Sequence, residues 1–102
     1  MTLAVILRPR AERDIDSIRR WYDAQRMGLG EEFLTSVQER LEGIRRFPEA
    51  CPAIYRKLRR AVVQRFPYLI FYLLVPEKIV VLAVLHTSRS PGNWPRQQGS
   101  RK

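Results

Sequence analysis

"RFPYLIFYLL", residues 65–74, is the stretch of the chain that decides the fold. From Tyr68 to Leu74 it carries no charged side chain and is rich in the aromatic and branched residues that favour β-strands. An uninterrupted apolar run of this length is typical of a central strand that is buried on both faces. The segments around it must therefore cover a sheet that is apolar on two sides.

The segments next to this strand predict an antiparallel meander. Residues 79–86 form a second strong strand, and Pro76 suits the second position of the tight turn "PEK" that joins the two strands. Upstream, "AIYRKLRRAVVQ" (53–64) has weaker strand character that charges interrupt. The short "LAVILR" (3–8), ended by Pro9, is a further strand at the N-terminus.

Two amphipathic helices are predicted between the first strand and the meander. A first apolar set recurs at helical spacing until Gln25, and a second follows the glycines of "RMGLGEE" until Pro48. The two sets are Ala11, Ile15, Ile18 and Tyr22, and Phe33, Val37, Leu41 and Ile44. A short link that contains glycine favours an antiparallel helical hairpin.

Together these patterns predict an α+β protein of β-α-α-β-β-β order, with the helical hairpin packed on one face of the sheet. Residues 1–95 are expected to form one domain, and 96–102 a mobile basic tail. Regular alternation would place Ile79, Val81, Ala83 and Leu85 on one face of their strand. The face without helices is then either an apolar interaction surface or closed by curvature of the sheet.

Charge is distributed unevenly along the 102 residues, whose formal net charge is +9. Residues 1–50 hold nine basic and nine acidic side chains, whereas residues 51–102 hold ten basic side chains and one acid, Glu77. This asymmetry predicts a basic face suited to nucleic acid or to an acidic protein, the alternative being a basic surface that only maintains solubility.

Other features narrow the class of protein. The single cysteine, Cys51, cannot form an internal disulfide. The N-terminal apolar run is too short and too quickly followed by charges for a signal peptide, and the longest apolar run is too short for a membrane span. We therefore expect a reduced, cytoplasmic protein without membrane association. The sequence contains no glycine-rich phosphate loop, paired catalytic carboxylates or metal-ligand spacing, so we expect no cofactor and no metal.

Four segments in this order resemble the RelE/ParE superfamily, the toxins of type II toxin–antitoxin systems. They are "LRPRAERDIDSIRRWY" (7–22), Phe47-Pro48, "RRAVVQRFPYLIFY" (59–72) and "VLAVLHTSRSPGNWP" (81–95). The resemblance implies the fold predicted above and an antitoxin whose C-terminal segment wraps the toxin, which would cover the sheet face that the helices leave open. RelE-like members are ribosome-dependent mRNA endonucleases, whereas ParE-like members poison DNA gyrase by binding.

The two activities require different residues. Cleavage of mRNA would use His86 as acid or base, with Arg59, Arg65 and Arg89 stabilising the phosphate. RelE-like enzymes carry an arginine at the position of Tyr68, and a tyrosine cannot hold positive charge at pH 7. The combination of "FPY" with His86, Arg89 and Trp94 is closer to ParE-like members. We therefore favour a gyrase-binding toxin, with an mRNA interferase or a non-toxic antitoxin-binding protein as alternatives.

Seven residues are the candidates for contact with the antitoxin or the target: Arg59, Arg65, Tyr68, Tyr72, His86, Arg89 and Trp94. Each also has a structural interpretation. His86 could be a hydrogen-bonded residue at the end of a buried strand, and Trp94 a lid over the sheet. The arginines could be solvated ends of strands, or could anchor acidic side chains of an antitoxin.

Overall fold

The computed structural model describes residues 3–88 and confirms the α+β class. Its elements are β1 (Ala4–Leu7), α1 (Pro9–Gln25), α2 (Leu29–Arg46), β2 (Ala53–Tyr55), β3 (Leu58–Val62), β4 (Tyr68–Val75) and β5 (Lys78–His86). The predicted single strand in residues 53–64 is divided by a two-residue turn, so the described part of the chain has one strand more than expected. The expected mobile tail, 96–102, lies outside the described residues.

The strands form one mixed sheet in the order β1-β5-β4-β3-β2. β1 runs parallel to β5, with Val5 opposite Ile79, and the remaining neighbours are antiparallel. The meander predicted from the apolar runs is thus present, and the N-terminal strand joins it beside the last strand. β4, the strand read from "YLIFYLLV", lies at the centre of the sheet.

The helical hairpin depends on a close approach of its two helices at Gly30. Gly28 adopts a positive φ of 92° at the N-cap of α2, a conformation that favours glycine. The Gly30 amide donates to Asp23 Oδ1 at 2.7 Å, and a Cβ on Gly30 would lie 2.5 Å from the carbonyl oxygen of Arg19. The backbone of α2 therefore begins directly against the last turns of α1.

Both faces of the sheet carry buried apolar clusters. The helices cover one face, where their buried residues pack against alternate residues of β3, β4 and β5: Ala11, Phe33, Val37, Ile44, Ala61, Val63, Ile70, Tyr72, Ile79, Val81 and Val84. The second cluster occupies the opposite face and consists of Leu58, Leu69, Phe71, Ala83 and Leu85, with Ile54, Leu73 and Leu82 packed against it. We call this opposite side the helix-free face.

A β-bulge in β5 corrects the predicted alternation. Phe71 lies opposite Ala83 while its neighbour Tyr72 lies opposite Val81, so Leu82 is an extra residue in the ladder. An extra residue reverses the side on which all later side chains of the strand lie. The prediction that Ala83 shares a face with Val81 is therefore wrong, and Val84 joins the helix-covered core in its place.

Candidate functional site

A groove between α1 and the C-terminal end of β5 contains two of the predicted site residues. Tyr68 and His86 are opposite each other in the β4–β5 ladder, with ring centroids 5.1 Å apart in an edge-to-face arrangement. The groove has a volume of about 530 Å³ and is lined by Ser17, Ile18, Trp21, Tyr22, Pro67, Tyr68 and His86. We call it the α1–β5 groove.

Trp21 gives this groove an exposed aromatic wall. It follows the apolar stripe of α1 and is 56% exposed, while its neighbour Tyr22 points inward to Phe33, Phe66 and Tyr68. Burial raises the pKa of Tyr22, and the nearby Tyr68 adds to the effect. Trp21 is not among the site residues predicted from the sequence, although its position as a large aromatic residue beside an amphipathic stripe is a signal for it.

His86 is held at the rim of the groove by the segment that follows it. Its Nδ1 accepts a hydrogen bond from the Ser88 amide at 3.0 Å, and the Thr87 amide donates to the Pro67 carbonyl at 2.9 Å. An accepting Nδ1 places the proton of the neutral ring on Nε2. His86 is therefore hydrogen-bonded, as in its structural interpretation, and it is also half-buried in the groove.

Asp14 sets the position of α1 over this end of the sheet. Its Oδ2 accepts a hydrogen bond from the Val84 amide at 3.0 Å and lies 3.4 Å from Arg10 Nε. β1 ends at Leu7, which pairs with Val81, so the edge of β5 beyond that point needs another acceptor. Asp14 supplies it and ties the helix to the strand next to the groove.

Tyr72 and Arg59 lie away from the groove. Tyr72 is fully buried under α2, where its hydroxyl donates to the Pro48 carbonyl at 3.0 Å. Burial raises the pKa of Tyr72, and a hydrogen bond with Cys51 adds to the effect. The Arg59 guanidinium donates to the Cys51 carbonyl. Tyr72 is thus a core residue with no surface for a partner, and Arg59 connects β3 to the loop after α2.

Among the described candidates for RNA chemistry, Arg59 lies apart from His86, whereas Arg65 precedes the strand end that holds Tyr68. Arg59 pairs with Tyr72, four positions along β4 from Tyr68, which corresponds to about 13 Å along the strand from the His86 end. Arg65 is exposed in the turn before β4 and has a positive φ of 72°. Arg89 and Trp94 lie outside the described residues.

Within residues 3–88 no three His, Cys, Asp or Glu side chains come together in a way that could hold a metal ion. Neither α1 nor α2 combines the length and the apolar character that crossing a membrane requires.

Comparison with known proteins gives the family. The family model described as "ParE toxin of type II toxin-antitoxin system, parDE" matches residues 5–91, which is most of the chain. No curated protein sequence matches the chain significantly.

Two solved structures align with this chain. A chain of the chromosomal ParDE toxin–antitoxin system from P. aeruginosa aligns with a TM-score of 0.73 at 14% identity, over 82% of this chain and 95% of that one. A conserved hypothetical protein from Helicobacter pylori, HP0894, aligns with a TM-score of 0.45 at 18% identity, over 84% of this chain and 96% of that one. From the family match, the chain belongs to the ParE toxins of type II toxin–antitoxin systems.

Proposed function

We propose that the protein inhibits DNA gyrase by binding it, without chemistry of its own, and that a cognate antitoxin neutralises it in the cytoplasm. The observation that carries the proposal is the separation of Arg59, one of the cations that RNA cleavage would use, from His86. Arg59 is bonded to the loop after α2, about 13 Å along the strand direction from the end of the sheet that holds His86. A general acid or base cannot assist a phosphate that is held so far away.

The α1–β5 groove is the surface that we assign to contact with the target. Trp21 and Tyr68 supply aromatic area at its walls, and Tyr and Trp residues are enriched among those that dominate the energy of protein interfaces. His86 adds a polar group at the rim. The groove is built on a helix and a strand that Asp14 connects, so its walls are fixed before a partner arrives.

The antitoxin is assigned to the helix-free face. Leu73 and Leu82 of this face are only partly buried, and Ile6 of β1 is 43% exposed. An apolar segment of an antitoxin would remove this area from water.

The test is a supercoiling assay with purified gyrase and purified toxin. We expect inhibition by the wild type, a loss of at least about tenfold in potency for Trp21→Ala, and little change for Phe47→Ala. Phe47 is the matched control because it is also an exposed aromatic residue, 67% exposed, on the far side of α2's C-terminus.

The same variants separate the alternatives. Normal supercoiling, together with a fall in amino-acid incorporation within minutes of induction, would replace the proposal with an mRNA interferase. His86→Ala would then be the variant to test. No effect in either assay would indicate a binding-only member of the family.

A further inference from the structure

The turn between β2 and β3 concentrates exposed positive charge at one edge of the sheet. Arg56 and Lys57 form the two-residue turn, and Arg60 follows in β3; all three are exposed. No Asp or Glu occurs between Glu49 and Glu77. β2 is the outermost strand of residues 3–88, so no other strand of this part of the chain covers this edge. We call Tyr55, Arg56, Lys57 and Arg60 the basic hairpin.

The cations of the basic hairpin have no acidic partner within residues 3–88. The ion pairs seen in this part of the chain all join residues of the helical half: Arg10–Asp14, Arg19–Asp16, Arg19–Asp23, Arg20–Asp16, Arg26–Glu32 and Arg45–Glu42. Arg59, the remaining cation of β3, is engaged by the Cys51 carbonyl. Acidic side chains of the helical half thus pair with arginines of the same half, whereas the cations of the basic hairpin have no acidic partner there.

The backbone of the turn adds a second observation. Arg56 has a φ of 52°, in the left-handed region where glycine or asparagine is the usual residue of a tight turn. Its guanidinium carbon lies 5.3 Å from the centroid of the Tyr55 ring, which is itself 44% exposed. The turn therefore holds the Arg56 cation against an exposed aromatic ring.

We propose that the basic hairpin binds the phosphate backbone of duplex DNA, without base specificity. Lys57 and Arg60 are three residues apart, which corresponds to about 10 Å along a strand, and phosphates of one DNA strand rise about 3.4 Å each. The cations therefore reach phosphates that are several nucleotides apart. A protein partner would instead need an apolar anchor, and the one aromatic ring of the hairpin is occupied by Arg56.

This binding needs neither gyrase nor an antitoxin, so it can succeed or fail independently of the proposed function. The experiment measures fluorescence anisotropy of two unrelated duplexes of about 20 base pairs with the full chain, in NaCl from about 50 to 200 mM. The test variant carries Arg56→Gln, Lys57→Gln and Arg60→Gln. The control carries Arg20→Gln, Arg26→Gln and Arg46→Gln, which remove the same charge from exposed positions of the helical half.

We expect both duplexes to bind equally. The hairpin variant should weaken binding at least about 30-fold and reduce the slope of log K against log salt concentration by about 2.7, since each lost phosphate contact contributes about 0.9. The control should stay within about threefold of wild type, because its charges lie away from the DNA. Lys57→Gln alone, at a residue without positive φ, should reduce the slope by about 0.9 and covers the case in which the triple variant does not fold.

Three results would overturn the proposal. Equal losses in the hairpin and control variants would mean that only net charge matters. Tighter binding of a polyglutamate peptide than of duplex DNA at the same salt concentration would assign the hairpin to an acidic protein. Preference for single-stranded RNA would assign it to that class of nucleic acid.

Discussion

Besides the apolar core, side-chain hydrogen bonds connect the helical layer to the sheet. Asp14 accepts the hydrogen bond of the Val84 amide, and Tyr72 donates to the Pro48 carbonyl after α2. The shared face of Tyr72 and Ile70 could be predicted, since both lie on alternate positions of β4, but the burial of Tyr72 under the helices could not, and Tyr72 was named as a candidate for contact with a partner. The contact of Asp14 could not be predicted, because its partner is 70 positions away and Asp14 looks in sequence like one more charge on the solvated side of α1.

Tyr72→Phe should lower the free energy of unfolding at neutral pH by about 1 to 2 kcal/mol, because the Pro48 carbonyl loses its donor. Burial raises the pKa of Tyr72 above that of the unfolded chain. Its contribution is therefore complete below about pH 10 and is lost as the pH rises from there, since the unfolded chain releases the proton first. The stability of Tyr72→Phe should consequently fall less steeply in alkali.

Urea unfolding followed from about pH 8 to pH 11 checks this prediction. Tyr55→Phe is the matched control, because it removes the same hydroxyl from an exposed ring. Part of the alkaline loss should remain in Tyr72→Phe, since burial also raises the pKa of Tyr22. A slope for Tyr72→Phe equal to that of the wild type would contradict the assignment.

Asp14→Ala should destabilise the protein by about 1 to 3 kcal/mol, because the Val84 amide loses a partly buried acceptor. Asp14→Asn keeps an acceptor oxygen and should cost less. Hydrogen exchange of the Val84 amide, followed together with denaturant unfolding, measures the effect. Asp16→Ala is the control, since it breaks only exposed ion pairs on the same helix. Equal stabilities of Asp14→Ala and Asp16→Ala would show that the hydrogen bond contributes nothing.

Among the elements, the helices were easier to predict than the strands. Polar residues between Ile15, Ile18 and Tyr22 mark the solvated side of α1, so the apolar stripe has a visible edge. β5 has no such contrast: "IVVLAVLH" is apolar on both sides, and a bulge leaves no trace in it. The division of β2 from β3 was missed for a related reason, because Arg56 and Lys57 are not the usual residues of a tight turn.

The bulge also decides what the candidate site contains. Without the extra Leu82, the side chain of His86 would lie on the helix-free face of the sheet. With it, His86 reaches the side of α1 and meets Tyr68 and Trp21 in the α1–β5 groove. The sequence could therefore name Tyr68 and His86 as candidates, but it could not bring them together with α1.

The geometry of the helical hairpin predicts that replacing two of its glycines by alanine changes the stability in opposite directions. Gly30→Ala should destabilise by about 1 to 3 kcal/mol, because the new Cβ would lie 2.5 Å from the Arg19 carbonyl oxygen and 2.7 Å from the Asp23 carboxyl group. Gly43→Ala meets only the end of the Arg40 side chain, at 3.5 Å, and should stabilise α2 by up to about 1 kcal/mol. Thermal unfolding of both variants tests this; changes of the same sign would contradict the close helix approach.

On the scale of the whole molecule, charge separates the two halves of the chain. The uneven distribution was visible in the sequence, but the pairing was not, because it depends on which side chains the fold brings within reach. Acidic residues of α1 and α2 lie beside arginines of the same helical half, while the cations of the basic hairpin have no acidic neighbour in residues 3–88. The folded protein therefore holds unbalanced positive charge on its sheet half.

This imbalance predicts the response of stability to salt. Exposed ion pairs such as Arg20–Asp16 contribute little, whereas repulsion among uncompensated cations of a chain with net charge +9 opposes the compact state. The melting temperature should therefore rise as NaCl increases from about 10 to 200 mM, where screening shortens the range of repulsion to about 8 to 10 Å. The variant with Arg56→Gln, Lys57→Gln and Arg60→Gln should melt higher at low salt and respond less. A melting temperature that falls with added NaCl would mean that the ion pairs of the helical half outweigh the repulsion of the sheet half.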